Sequence, residues 1–481
     1  MIIQWKFVLK VIGIIIVIES LFMFLSAIVA GYYKGNDFFP LLYSGGITFA
    51  IGCFLASITG FRKKTVIIGR KESYLSVALS WISFAFAGAL PFYISQLTPN
   101  FTDAFFESMS GITTTGCSIL QNVEIAPKGL LFWRSMMQWL GGMGIIVFSI
   151  ALLPLIGGGA AQLFDAEVTG LTHDKFRPRV TQMAKRLWII YLSLTFSVIA
   201  LLWFPMGGFD AICHGLTTIS TGGFSTKQAS IAHWNSWYIE TIVLIFMLTG
   251  AINFTLLYFL FAKGDVKRLR KDEELRWFLY IILGASILIT SGLFFNKHIP
   301  LLTSLRQSFF QVVSAITTSG FSATDYTQWG AFYSMIFLFL MFVCGCAGST
   351  SGGLKVVRVV VLVKNTIQEF ERLIHPRAII PIRLNGRTLS FGVVQRLLAF
   401  AFLYLCIILL SWGILTAMGL PILDSLSAAI SAIGNSGMNI SPMSLGEISQ
   451  AAKWYLAFLM VVGRLEVFTI LILFSPGFWR R

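Results

Sequence analysis

The sequence predicts an all-α integral membrane protein, with four parallel helix–re-entrant loop–helix repeats around one axis and two further transmembrane helices before them. Three observations carry this. Only 12% of the 481 residues are charged and 56% are hydrophobic, against about 25% charged in soluble domains. Ten stretches are long and apolar enough to cross a bilayer, which takes about 20 residues. A short Gly/Ser/Thr-rich phrase occurs four times between them.

The ten stretches lie near 7–31, 39–61, 75–97, 130–156, 187–205, 236–262, 277–295, 331–363, 391–418 and 454–474. The first is too long and too apolar for a cleaved signal peptide and lacks a small-residue cleavage site. Lys and Arg alternate in density between the loops. With the N-terminus cytoplasmic, 28 fall on that side and 7 on the other, and Arg464 lies within a span. This positive-inside pattern places both termini in the cytoplasm. It accounts for the net charge of +15 without a nucleic-acid partner. The six cysteines match neither a disulfide framework nor a zinc site and read as small hydrophobes.

Residues 1–72 hold two helices without the repeated phrase. Repeats follow at 73–172, 173–265, 266–372 and 373–481. The phrase reads Thr113-Thr114-Thr115-Gly116, Ser220-Thr221-Gly222-Gly223, Thr317-Thr318-Ser319-Gly320 and Gly434-Asn435-Ser436-Gly437. Asp103, Asp210, Gln307 and Asp424 each stand 13 residues before the final Gly. In repeat two Gly223 fits that offset and precedes Phe224, although Gly222 is also open as the equivalent glycine. The apolar segment before each phrase is too short to span. Led by Asp, which suits the positive end of a helix, residues 103–112 form a half-depth pore helix. Its negative end faces the bilayer centre and stabilises a cation there. A backbone that re-enters the membrane is tolerated only when buried in protein or lining a water-filled cavity. All four units begin and end on the basic side, so they are parallel repeats around one pore.

A cation crossing here must exchange water for protein oxygens. Rings of backbone carbonyls do this in potassium filters, and Gly supplies the dihedrals. Ordinary Gly/Ser/Thr loops or small-residue helix contacts explain one such phrase, but not four at one offset. The sixteen phrase residues are therefore the candidate filter. Below it, repeat three carries Cys344-Gly345-Cys346-Ala347-Gly348-Ser349-Thr350-Ser351-Gly352-Gly353 within an apolar run. Four glycines in ten residues, each costing about 1 kcal/mol in a helix relative to Ala, break the span. Residues 345–353 are read as a gating loop, with a close-packing kink as the plainer alternative. Arg464 costs at least roughly 2.5–3.5 kcal/mol to insert. It faces the pore as a fixed positive barrier, or else pairs with Glu466, although i and i+2 do not share a helix face. Asn253 is a weaker analogue in repeat two.

These residues resemble the Trk/Ktr/HKT superfamily of potassium transport proteins, and most closely its TrkH branch, over about residues 5–475. The loop Gly345-Cys346-Ala347-Gly348-Ser349-Thr350 with Gly352-Gly353-Leu354-Lys355, and Gly463-Arg464, are the most specific elements. The resemblance implies a potassium-uptake subunit of the bacterial inner membrane. It also implies a homodimer with one pore per protomer and a cytosolic nucleotide-binding ring, TrkA, on the basic face. K+ would be the transported ion, with no organic cofactor in this chain. None of the phrases is the Thr-Val-Gly-Tyr-Gly of tetrameric potassium channels, which implies a shorter filter and looser selectivity. The basic loops, especially 355–396, serve topology and anionic membrane lipids, or a docking partner. No nucleotide-binding fingerprint is present.

Two other function classes remain. A proton- or sodium-coupled symporter needs an embedded carboxylate, and Glu107, Glu240 and Glu466 are the candidates. A membrane enzyme lacks support, since neither His-Glu-x-x-His nor Gly-x-Ser-x-Gly occurs and the five His are dispersed.

Overall fold

The computed structural model describes residues 3–58, 69–144, 180–378, 380–440 and 445–480. The expected basic link at 62–64, the second half of the span at 130–156 and Lys175–Arg179 lie outside them. Two helices come first, α1 (Trp5–Tyr32) and α2 (Phe38–Ser57). Repeat one holds α3 (Arg70–Ile94), α4 (Phe101–Ile112) and α5 (Lys128–Gly142). Repeat two holds α6 (Val180–Met206), α7 (Gly208–Ile219), α8 (Trp237–Ala251) and α9 (Phe254–Lys263). The short α10 (Val266–Lys271) leads to repeat three, with α11 (Glu273–Lys297), α12 (Leu301–Ile316), α13 (Ala331–Val343) and α14 (Val356–Ile374). A two-stranded hairpin, β1 (Arg383–Leu384) and β2 (Arg387–Thr388), precedes repeat four. That repeat holds α15 (Phe391–Ala417), α16 (Ile422–Gly434), α17 (Gln450–Arg464) and α18 (Val467–Phe474), followed by α19 (Pro476–Trp479).

Among the described residues six helices are long and apolar enough to cross a membrane, and up to eight spans result if each bent pair counts as one. Their outward faces carry Phe, Leu and Ile, such as Phe204 at 93% exposure and Ile287 at 67%. This is the expected surface where hydrocarbon, not water, is the solvent. The short helices α4, α7, α12 and α16 are the reverse. Asp103–Ile112 is buried throughout, and α7, α12 and α16 are mostly buried. These four lie at the centre.

Three sequence expectations change. The pore helices are longer than ten residues. Asp103, Asp210 and Asp424 lie in the first turn instead of at the cap, where a carboxylate still meets the positive end. Gln307 sits mid-helix in α12, one turn further in. Most consequentially, the second spans of repeats two and four are not continuous. α8 and α9 meet at 108°, and α17 and α18 at 115°. The run at 331–363 is broken as expected, between α13 and α14.

Ion pairs tie neighbouring repeats together. Glu240 of repeat two receives a bidentate pair from Arg306 of repeat three, at 2.5 and 2.6 Å. Arg358 of repeat three donates to Glu466 of repeat four at 2.6 Å. Lys453 of repeat four donates to Asp103 of repeat one at 2.6 Å. Arg134 of repeat one pairs with its own Glu107 at 2.5 Å and donates to Ser225 O of repeat two at 3.0 Å. Its guanidinium also lies 3.5 Å from the centre of the Phe224 ring. Removing one member of such a buried pair strands a charge, at roughly 3–5 kcal/mol. Glu107→Ala is therefore expected to lower thermal stability in detergent by about that amount, more than loss of the half-exposed Arg306. Equal melting shifts for the two would contradict this.

Candidate functional site: four left-handed turns and a loop beneath them

Every pore helix ends in the same hydrogen-bonded turn. The second phrase residue donates its N–H three residues back: Thr114 to Gly111 O, Thr221 to Thr218 O, Thr318 to Ala315 O and Asn435 to Ala432 O, at 3.0–3.3 Å. The third donates five back: Thr115 to Ser110 O, Gly222 to Thr217 O, Ser319 to Ser314 O and Ser436 to Ser431 O, at 2.9–3.0 Å. This is the Schellman arrangement, which usually carries Gly at its left-handed position. Here that position is Thr114 (φ 55°), Thr221 (53°), Thr318 (60°) and Asn435 (52°). A β-branched residue there is an outlier. Strain of that kind concentrates at functional sites. Asn435 tolerates left-handed backbone more readily than Thr, which accounts for the missing Thr of repeat four.

The fourth residue is left-handed too, at φ 83°, 78°, 70° and 63° for Gly116, Gly223, Gly320 and Gly437. Gly222 therefore holds the third position and Gly223 the fourth, so the ambiguity in repeat two resolves on backbone geometry. The glycines also close a ring. A Cβ on Gly116 would lie 2.1 Å from Gly222 O, and one on Gly223 1.7 Å from Ser319 O. One on Gly320 would lie 2.5 Å from Ser436 O, and one on Gly437 2.1 Å from Thr115 O. Each repeat thus rests on the third-position carbonyl of the next, and the fourth returns to the first. The first-position hydroxyls stay local: Thr113 Oγ1 donates to Met109 O at 2.6 Å and pairs with Thr115 Oγ1 at 2.7 Å. Thr317 and Ser319 pair likewise at 2.9 Å, and Ser220 donates to Leu216 O at 2.9 Å.

Polar residues brace the turns from behind, and of these the sequence alone singles out only Glu107. Nine residues before the final Gly stand Glu107, His214 and Gln311. Glu107 accepts from Ile119 N at 3.0 Å and Ser118 Oγ. His214 Nε2 meets Ser225 Oγ at 3.0 Å. Gln311 Nε2 donates to Phe321 O at 3.5 Å. The constant offset that located Asp103 points to this second polar position as well. Gln138 has no such signal: its Nε2 donates to Gly222 O at 2.7 Å and its Oε1 accepts from Phe224 N at 3.0 Å. Outside the turns, the Thr327 hydroxyl bonded to Asp325 holds that carboxyl below its usual range.

The Gly345–Gly353 loop lies against three of the four turns. Thr350 Oγ1 contacts Ile219 O and Gly250 O, at 3.1 and 3.0 Å, and accepts from Thr221 Oγ1 at 3.3 Å. Gly352 N donates to Thr318 Oγ1 at 3.2 Å. A Cβ on Gly352 would lie 2.5 Å from Gly434 O and 2.8 Å from Asn435. One on Gly353 would lie 2.0 Å from Cys344 Sγ. Cys346 N donates to Ala251 O, and Gly348 O accepts from Phe254 N, both at 3.0 Å. Ser349 Oγ donates to Cys346 O at 2.6 Å and meets Ser351 Oγ at 2.7 Å. Ser351 O accepts from Lys355 Nζ.

Arg464 reaches the same loop from repeat four. It donates to Thr350 O at 2.7 Å, and to Gly141 O and Gly142 O at 2.6 and 3.1 Å. The C-terminal carbonyls of α5 suit a guanidinium. Asn253 instead caps α9 through Thr255 N at 2.8 Å and lies beside Gly348. Among the described residues, buried carboxylates outside the set expected from sequence include Glu19 and Glu274. Glu19 on α1 has no hydrogen-bond partner among the described residues. Glu274 Oε1 accepts from Ala347 N at 2.6 Å and Val357 N at 3.2 Å.

A family model described as TrkH, cation transport protein, matches residues 46–480. The chain belongs to the TrkH family. It is 38% identical over 484 residues to the Trk system potassium uptake protein TrkH of Salmonella typhimurium, covering 99% of this chain and 100% of that one. Against the protein of the same description from Escherichia coli K12 the identity is 37%, with the same coverage. The crystal structure of the potassium transporter TrkH from Vibrio parahaemolyticus superimposes with a TM-score of 0.91 at 35% identity, covering 99% and 100% of the two chains. The all-α repeat architecture is thus that of the TrkH fold, and the names of these relatives describe transport, not catalysis.

Gly223→Ala places a methyl group into a backbone carbonyl and adds left-handed strain of roughly 1–2 kcal/mol. Cation flux through reconstituted protein is expected to vanish or lose its ion preference. Gly264→Ala, left-handed at φ 64° and ψ 18° with nothing within 4 Å of the added methyl, carries the strain alone and keeps its flux. Normal flux in Gly223→Ala contradicts the close approach.

Proposed function

We propose that this chain takes up potassium across the bacterial inner membrane through a selective pore. The closed ring of four left-handed turns carries the reading. Chain segments in that conformation, gathered at the ends of four pore helices, supply backbone oxygens and helix C-terminal dipoles around one axis. The filter comprises Thr113–Gly116, Ser220–Gly223, Thr317–Gly320 and Gly434–Gly437. K+ is cargo, not a resident cofactor. The potassium-uptake names of the relatives support the choice of ion.

The loop Gly345–Gly353 and Arg464 form the gate. In this state the loop is bonded across three repeats, and Arg464 holds its Thr350 carbonyl to the end of α5. Opening requires those bonds to break together. A cytosolic nucleotide-binding subunit of the TrkA type regulates the gate from the basic face, both termini being cytoplasmic. The protein works as a homodimer in contact with membrane lipids. The basic region at 355–396 is less free than its sequence implies: Arg358 and Lys364 are paired internally, and Lys355 bonds the loop. This leaves Arg377, Arg383, Arg387 and Arg396 exposed to a partner.

Ion-coupled symport is the second reading. Glu107, Glu240 and Glu466 are each ion-paired to an Arg, which favours structural roles over proton carriage. Rubidium uptake into proteoliposomes should follow an imposed voltage and be inhibited more by potassium than by sodium. Uptake that needs a pH or sodium gradient instead would favour the symporter. Arg464→Ala should raise the rubidium flux of folded protein several-fold, and unchanged or lower flux would remove Arg464 from the gate.

A further inference from the structure

We propose that Asp272-Glu273-Glu274, three consecutive acidic residues opening α11, link the hairpin Arg383–Thr388 on the basic face to the intramembrane loop, so that the hairpin's position sets the loop's. This rests on the reading of the loop as a gate. Two sets of contacts meet on this triplet. On one side Glu274, buried at 7% exposure, grips both limbs of the loop region through Ala347 N and Val357 N, ten residues apart. Val356 N donates to Gly345 O at 3.0 Å and closes the same base.

On the other side Asp272 and Glu273 hold the tip of the hairpin. Asn385 Nδ2 donates to Asp272 Oδ2 at 3.0 Å, Asn385 Oδ1 accepts from Glu273 N at 2.7 Å, and Asn385 N donates to Glu273 Oε2 at 3.1 Å. Glu273 also pairs with Lys364 of α14, the helix that continues from the loop. Asp272 caps α11 by accepting from Leu275 N at 2.9 Å. The three residues therefore move as one helix end.

The hairpin tip is exposed, and its Asn385 is left-handed at φ 49°, pre-shaped for this three-bond contact. Pulling the tip away strains the helix end that holds Ala347 N. Glu274 is a positioning residue: it acts on the loop backbone and touches no ion path itself. The acidic triplet is also the negative insert in a basic face, set between Lys271 and Arg276, so a docking partner that displaces Asn385 has a defined lever to work on.

The test uses full-length protein in proteoliposomes and reads rubidium uptake for Asn385→Gly, Glu274→Gln and the pair. Asn385→Gly keeps the left-handed turn and removes the side chain. Glu274→Gln keeps the shape and replaces the charged oxygen that accepts from both Ala347 N and Val357 N with a neutral one, which weakens both contacts. Each single variant should raise uptake several-fold, within the roughly 5–150-fold span of allosteric couplings. The double variant should do no more than the larger single, since residues acting through one link are not additive. Unchanged or lowered uptake in Asn385→Gly, or a double effect equal to the product of the singles, overturns the link. Deletion of 346–352 separates the two readings. If the deletion raises uptake while Asn385→Gly does not, the gate stands and the link falls. If the deletion leaves uptake unchanged, both fall. Should Glu274→Gln not fold, Glu273→Gln with Asn385→Gly reads the same coupling from the exposed side.

Discussion

The close approach of a glycine to a neighbouring repeat's carbonyl oxygen is made four times in a circle. It leaves no room for a β-carbon at Gly116, Gly223, Gly320 or Gly437. Much of the architecture serves that constraint. The pore helices must end at one level, so each stops in the same Schellman turn. The second helices must come close behind them: Gly141 packs on Ile112 O, Gly250 on Ile219 O and Gly463 on Ile433 O. The ion pairs Glu240–Arg306, Arg358–Glu466 and Lys453–Asp103 then hold the repeats against one another where the bilayer offers no hydrophobic force between helices.

Strain and contact coincide at the second phrase position. A threonine held left-handed places its hydroxyl where the loop below can reach it, as Thr221 and Thr318 do with Thr350 and Gly352. Glycine would relieve the strain and lose the hydroxyl. The same residues thus belong to the end of the pore helix and to the surface that meets the loop, which couples turns and loop without any element between them.

Much of this was legible in the sequence because repetition multiplies a weak signal. One Thr-Thr-Gly phrase says little, but four at a fixed offset located every turn. The charge of the loops and the apolar runs located the spans. Gly345–Gly353 announced its break by composition. The bends at Ile252–Asn253 and Leu465–Glu466 did not, because Ile, Asn, Leu and Glu carry no strong breaker signal. Asn253 caps the helix after its bend, and Glu466 adopts φ 60° at the other, features that only tertiary contacts fix. The partners of Glu107, Glu240 and Glu466 were equally hidden, since each is distant in sequence. Glu274 was overlooked for a related reason: it sits at a helix start, where an acidic residue is ordinary, and only its approach to Ala347 sets it apart.

The loop beneath the turns occurs once, in repeat three, although the turns occur four times. Four identical subunits around an axis would each bring a loop to the same point, and the space that one loop fills would have to hold four. A single polypeptide with diverged repeats escapes that symmetry. On the proposed reading of the loop as a gate, its single copy is either in place or withdrawn. Current through such a pore would switch in a single step, and one bound regulator would suffice to throw it.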